Sequence, residues 1–138
     1  MKTRSDIEET LLKSLTTYTT AQSIEVASEN KEFSPVIGEL YFAIQFLSNA
    51  PDNTVLAEGY EQIMGMMQVD IHAPANKGRY ATNQQIDALK AIFKTNGIIN
   101  NTVGTVHLGK VYEGGKVPDS VWYKVSLTIE YKEFNSNT

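Results

Sequence analysis

Cysteine is absent from this 138-residue chain. That excludes a disulfide framework, thiol catalysis and cysteine-ligated zinc, and it fits a cytosolic protein. Histidine is scarce: two residues are few for metal-centred chemistry. Positive charge is also short. Twelve Lys and Arg stand against 16 Asp and Glu, a formal charge of −4, whereas a nucleic-acid binder ordinarily presents a basic face. No apolar run approaches the ~20 residues that cross a bilayer. The first residues, Met1 to Asp6, are polar and lead into no apolar signal core. Gly109-Lys110 and Gly114-Gly115-Lys116 lack the spacing of a phosphate loop and its following Ser or Thr, so they read as turn chemistry. No serine lies in a nucleophile-elbow context, and no Ser/His/Asp grouping can be assembled. The expectation is therefore no catalytic residue, no cofactor and no metal site: not an enzyme.

What is present is one core. A chain of this length is one domain, 1–138, able to bury its own apolar interior without metal or disulfide. Its organising stretch is Tyr60 to His72. Ile63, Met67, Val69 and Ile71 are apolar, while Gln62, Gln68, Asp70 and His72 are polar, the period of a strand with one buried face. At ~3.3 Å per residue such a strand runs about 40 Å, long enough to lie across the middle of a sheet. Gly65 inside it marks a bulge or a close backbone approach. A bulge would move Met64 and Met66 between faces, so these two are candidates for either core or interface.

Around this stretch the remaining elements follow in order. Ser5-Asp6-Ile7-Glu8 has the capping-box form, and Ile7, Leu11 and Leu15 give a helical stripe of about three turns. The β-branched run Thr16 to Thr20 is expected to end it. Ser23–Ser28 alternates as a short strand. Phe33 to Gly38 reads as a loop anchored by Pro35. Leu40–Leu47 is a strand whose Leu40, Phe42, Ile44 and Phe46 share one face and whose Tyr41, Ala43, Gln45 and Leu47 share the other. Ser48 to Gly59 is a loop of turn-forming residues. A second helix is predicted from about Arg79 to Thr95, closed by Asn96-Gly97 with the glycine in the left-handed position. Ile98 to Asn101 connects it to a strand over Thr102–Tyr112. Glu113 to Asp119 is a hairpin loop, and Ser120–Tyr131 the last strand. The polar residues from about 132 read as a frayed tail. Consecutive strands, 40–47 with 60–72 and 102–112 with 120–131, are expected to pair as antiparallel hairpins. The predicted fold is α+β: two layers, with two helices packed on a mainly antiparallel sheet of about five strands.

Three groups of residues invite a functional reading. Asp70 and His72 leave one face of their strand together, as a base and its orienter or two metal ligands would. With no third ligand nearby, a solvated polar face accounts for them more simply. Met64, Met66 and Met67 are soft apolar side chains suited to core filling or to an adaptable contact. Trp122 faces away from the regular apolar row of its strand, and an outward Trp beside Tyr41 suits an interface. The candidate interface residues are Tyr41, Leu47, Met64, Met66, Gln68, Asp70, His72 and Trp122.

Several fragments, taken in order, carry a resemblance over nearly the whole chain. They are the N-terminal helix and the strand ending in Ser28-Glu29-Asn30; Phe33-X-Pro35 with Gly38-X-X-Tyr41; and Gly59-Tyr60 leading to Gln68-Val69-Asp70-Ile71-X-X-Pro74. Gly78, a helix ending near Phe93 and Trp122-Tyr123-X-Val125-X-Leu127 complete the set. Together they resemble the tail terminators, small tail-completion proteins of long-tailed, lambda-like phages. The resemblance implies a structural virion protein of the phage tail, assembled in the host cytoplasm. It implies a hexameric ring that caps the tail tube, stops its polymerisation and forms the head-docking surface. The implied partners are further copies of the chain, the tail tube protein and a head-side neck protein. DNA would pass the lumen without specific binding, and no membrane is involved. The same motifs suit a head-tail neck or tail tube protein. The residues alone also leave open a small soluble enzyme or ligand-binding module that uses the Asp70/His72 face.

Overall fold

The computed structural model describes residues 3–28, 39–48, 60–74, 78–118 and 122–136. The expected loops at Phe33–Gly38 and 49–59 lie outside these residues. Helix α1 spans Arg4–Ala21, followed by strands β1 (Glu25–Ala27), β2 (Tyr41–Ser48) and β3 (Tyr60–Pro74). Helix α2 spans Gly78–Ile92, and strands β4 (Ile98–Asn100), β5 (Thr105–Pro118) and β6 (Trp122–Ser136) complete the order. The strands form one six-stranded sheet in the order β1-β2-β3-β6-β5-β4. All neighbours are antiparallel except β1 and β2. The two expected hairpin pairings, β2 with β3 and β5 with β6, are present. The long strand is central, flanked by β2 and β6. The sixth strand is β4, in a segment read from sequence as a connection; three residues carry too little periodicity to announce a strand.

Alternation decides which face of the sheet is core. Ile63, Met67, Val69, Ile71 and Ala73 of β3 are buried, as are Val125, Leu127, Ile129 and Tyr131 of β6 and Phe42 and Ile44 of β2. Ile7, Leu11 and Leu15 of α1, with Ile86 and Leu89 of α2 and Phe93 just beyond it, join them in one cluster. Both helices therefore lie on this face, and among the described residues no helix covers the opposite face of β2, β3 and β6.

Helix α1 begins earlier and ends later than predicted. Its cap is Thr3, whose Oγ1 accepts from the Asp6 N–H at 3.2 Å while the Asp6 carboxylate accepts from the Thr3 N–H at 3.1 Å. Hydrogen bonding from Thr3, its backbone N–H foremost, holds the Asp6 carboxyl below the ordinary carboxylate range. Ser5 and Glu8, the expected box, lie inside the helix. The threonine run does not end it, because the Thr16, Thr17 and Thr19 hydroxyls donate back to the carbonyls of Lys13, Lys13 and Thr16. Buried Leu15 and Thr19 carry the helix on to Ala21, so packing overrides the weak propensity of β-branched residues. Helix α2 stops at Ile92 rather than near Thr95, and the left-handed residue after it is Asn96 (φ 58°), not Gly97.

Two further boundaries move. The glycines at 109 and 114–115 sit in β5 at register shifts, between Leu108 and Val111 and between Glu113 and Lys116. They bulge a continuing strand instead of turning it, so β5 reaches Pro118 where a hairpin loop was expected. Strand β6 likewise continues to Ser136, past the Lys132 at which the polar tail was placed.

The bend between β4 and β5 is fastened to α1 by one side chain. Asn101 Nδ2 donates to the Thr10 carbonyl and to Ser14 Oγ, each at 2.8 Å. Its Oδ1 accepts from the N–H groups of Val103 and Gly104 at 2.9 and 3.3 Å. Asn101→Ala removes both sets and is expected to lower the unfolding free energy by about 1–3 kcal/mol, measured by urea denaturation. An unchanged midpoint would show that water replaces the side chain without cost.

Candidate functional site

Strand β3 pairs without a register shift from end to end, Ser48↔Gly65 through Tyr41↔His72 on one side and Tyr60↔Ser136 through Pro74↔Trp122 on the other. Gly65 is thus not a bulge but a close approach. The Tyr131 ring lies over it, and a Cβ at position 65 would stand 2.4 Å from the phenol oxygen. Arg4 Nη1 secures that ring, donating to the Tyr131 oxygen at 2.8 Å and to the Met64 carbonyl at 3.1 Å. Burial, foremost, raises the Tyr131 pKa and keeps the phenol neutral.

An unbroken strand fixes the faces. Met64, Met66, Gln68, Asp70 and His72 all point away from the helices. Their register partners place Tyr41 and Leu47 of β2 and Trp122 of β6 on the same side. The eight residues singled out from sequence therefore share the open face, and each is half-buried rather than fully exposed. Met67, the third methionine, is core.

The face has a polar middle and an apolar margin. Asp70 accepts from Ser126 Oγ at 2.6 Å and from Gln68 Nε2 at 3.0 Å. Its second oxygen lies 3.8 Å from Lys124 Nζ, and its side chain is 15% exposed. It belongs to a cross-strand hydrogen-bonded group, not to the solvated polar face that sequence suggested. At one end Tyr41 and His72 stack with centroids 4.4 Å apart, and Trp122 meets the Tyr41 ring edge-on at 5.1 Å. At the other end Leu47 pairs with Met66. The alternation of β3 and the outward Trp signal this face in sequence. The contributions of Ser126 and Lys124 do not show there, since they depend on which strand lies beside β3.

Little about the face resembles a catalytic centre. Among the described residues no group of three or more His, Asp or Glu side chains converges to hold a metal ion. A cleft of about 350 Å³ opens beside Gly65, between Met64, Lys110 and Glu130, and a smaller one lies between Leu12, Ile44 and Phe46. Neither is lined by Asp70 or His72. His107, away from this group, is exposed and contacts the buried carboxylate of Glu133 at 3.1 Å. No helix among the described residues is long and apolar enough to cross a membrane.

The family model for phage tail terminator protein matches residues 6–131. The chain belongs to the phage tail terminator family. The match runs from Asp6 in α1 to Tyr131 in β6 and takes in every element between. A solved structure superimposes with a TM-score of 0.76 at 20% identity, over 96% of each chain. At that identity the likeness establishes a shared fold. Among curated protein sequences none matches this chain. The tail terminator family is structural rather than enzymatic, and membership makes the chain a component of the virion tail.

Proposed function

We propose that this tail terminator acts as a ring, hexameric in its working form, that caps the completed tail tube. In that position it stops further addition of tube subunits and offers the surface to which the head docks. Assembly takes place in the host cytoplasm, with the tail tube protein below and a head-side neck protein above. The observation that carries the reading is the family match over residues 6–131.

The open sheet face supports it. A closed ring needs a heterologous contact, one surface of a subunit against a different surface of the next. Tyr41, Leu47, Met66 and Trp122 supply aromatic and flexible apolar groups of the kind enriched at interfaces. Asp70, Gln68 and Ser126 already satisfy one another, so the polar middle can be covered without leaving an unpaired charge. The formal charge of −4 suits a lumen that does not grip passing DNA, because clustered Lys and Arg would bind phosphate regardless of sequence. The chain itself performs no catalysis in this reading.

Electron microscopy of tails assembled without this protein tests the assignment. Tubes of uncontrolled, excess length with no attached heads are the expected result. Absence of tubes would identify a tube subunit instead. Tubes of normal length that fail to join heads would identify a neck protein.

A further inference from the structure

Three rings meet at one corner of the open face. Tyr41 and His72, cross-strand neighbours on β2 and β3, are nearly parallel, with 4° between their planes. Trp122 of β6 stands perpendicular to both, with its centroid 6.4 Å from that of His72. The His72 Nδ1 atom is buried and has no hydrogen-bond partner. The groups facing this ring can be named strand by strand. β2 contributes the Tyr41 phenol, β3 the Asp70 carboxylate, and β6 the Lys124 ammonium, directly across from His72.

A neutral imidazole carries one N–H and an imidazolium carries two. Whichever nitrogen holds the proton at neutral pH, acidification places a donor on Nδ1. In the observed position Nδ1 is buried and no acceptor meets it in hydrogen-bonding geometry; the Asp70 backbone is the one nearby hydrogen-bonding group that favours an added N–H on the ring. The new charge also faces the Lys124 ammonium, while the Asp70 carboxylate is shared among Ser126, Gln68 and Lys124. A charge on a ring whose Nδ1 is buried without an acceptor in place is favoured to move to where that N–H can be solvated. We propose that His72 is a proton-operated latch: on protonation its ring leaves the stack on Tyr41, uncovers Tyr41 and Trp122, and adds a second cation to the corner that already holds Lys124.

The direction of the pH dependence follows from burial. Desolvation is the largest influence on His72 and lowers its pKa, opposed by the Asp70 charge and the Asp70 backbone and helped by the Lys124 charge. The folded value lies below the unfolded one of about 6.5. The stacked state is therefore fully stable above that pH and is lost as the pH falls through the folded value.

The chain holds a single Trp, so its fluorescence reports on this corner alone. Titration of the whole protein from pH 7.5 to 4.5 is expected to show a one-proton red shift of Trp122 emission, with a midpoint below 6.5 and unchanged far-UV circular dichroism. His72→Phe, which preserves a ring for the stack, should abolish the shift, and His107→Gln should retain it. An emission maximum that does not respond to pH, or a shift that persists in His72→Phe, overturns the proposal. So does a shift that coincides with loss of the circular dichroism signal. NMR on the unaltered protein gives an independent reading. Contacts between the His72 and Tyr41 ring protons should vanish at the pH where the His72 ring titrates, and contacts that survive its protonation refute the latch.

Discussion

Gly65→Ala is expected to destabilise the fold by about 3 kcal/mol, at the upper end of ordinary overpacking costs. Propensity alone predicts the reverse, since alanine within a strand is ordinarily better than glycine by about 0.5–1 kcal/mol. The geometry reverses the sign. The added methyl would stand 2.4 and 2.7 Å from the Tyr131 phenol oxygen and its ring carbon, and 2.9 Å from the Leu47 carbonyl oxygen. None of these can retreat cheaply. Tyr131 is 1% exposed and held by Arg4, and the Leu47 carbonyl belongs to the β2 backbone. Urea denaturation measures the loss, and a double-mutant cycle with Tyr131→Ala assigns it. With the ring removed, only the Leu47 contact remains, so the cost of Gly65→Ala should fall by more than half. An identical cost in both backgrounds would place the strain elsewhere.

Phe42→Ala should cost about 3–5 kcal/mol, the range for deleting a fully buried ring. Phe42 has no exposed surface and sits opposite Ile71 in the middle of the helix-covered face. Leu47, on the same strand but on the open face, provides the contrast. It is half-buried, and Leu47→Ala should stay within about 1 kcal/mol of the parent in the isolated subunit. Thermal or urea unfolding of the two variants compares the faces directly. Similar losses would mean that the open face is packed as tightly as the core.

The contrast between Phe42 and Leu47 also marks how far sequence carries. Alternation in β2, β3 and β6 separated the two faces of the sheet, Met64 and Met66 excepted, because two-residue periodicity and burial are the same fact seen twice. The central place of β3 followed from its length. The Asp70 group was only half legible. Asp70 was visible, but Ser126 lies 56 positions away and reaches it only because β6 inserts beside β3. The boundaries failed for local reasons. Thr16, Thr17 and Thr19 satisfied their hydroxyls within α1, and Gly114 and Gly115 bulged a strand where two adjacent glycines ordinarily signal a turn. Gly65 was recognised as special, but choosing between a bulge and a close approach required knowing that Tyr131 faces it.

The position of β6 in the sheet has a consequence for how the protein is made. Strand β6 lies between β3 and β5 and pairs with both. Until Trp122–Ser136 have been synthesised, β3 and β5 are bare edges of two unconnected pieces, β1-β2-β3 and β4-β5. The earlier strands cannot complete the sheet during elongation: β5 pairs with β6 as a local hairpin, but the β3–β6 pairing spans a long sequence separation, which slows folding. The subunit therefore reaches its assembly-competent shape in one late step. A chain cut short before β6 leaves two exposed edges open to aggregation rather than a smaller working domain.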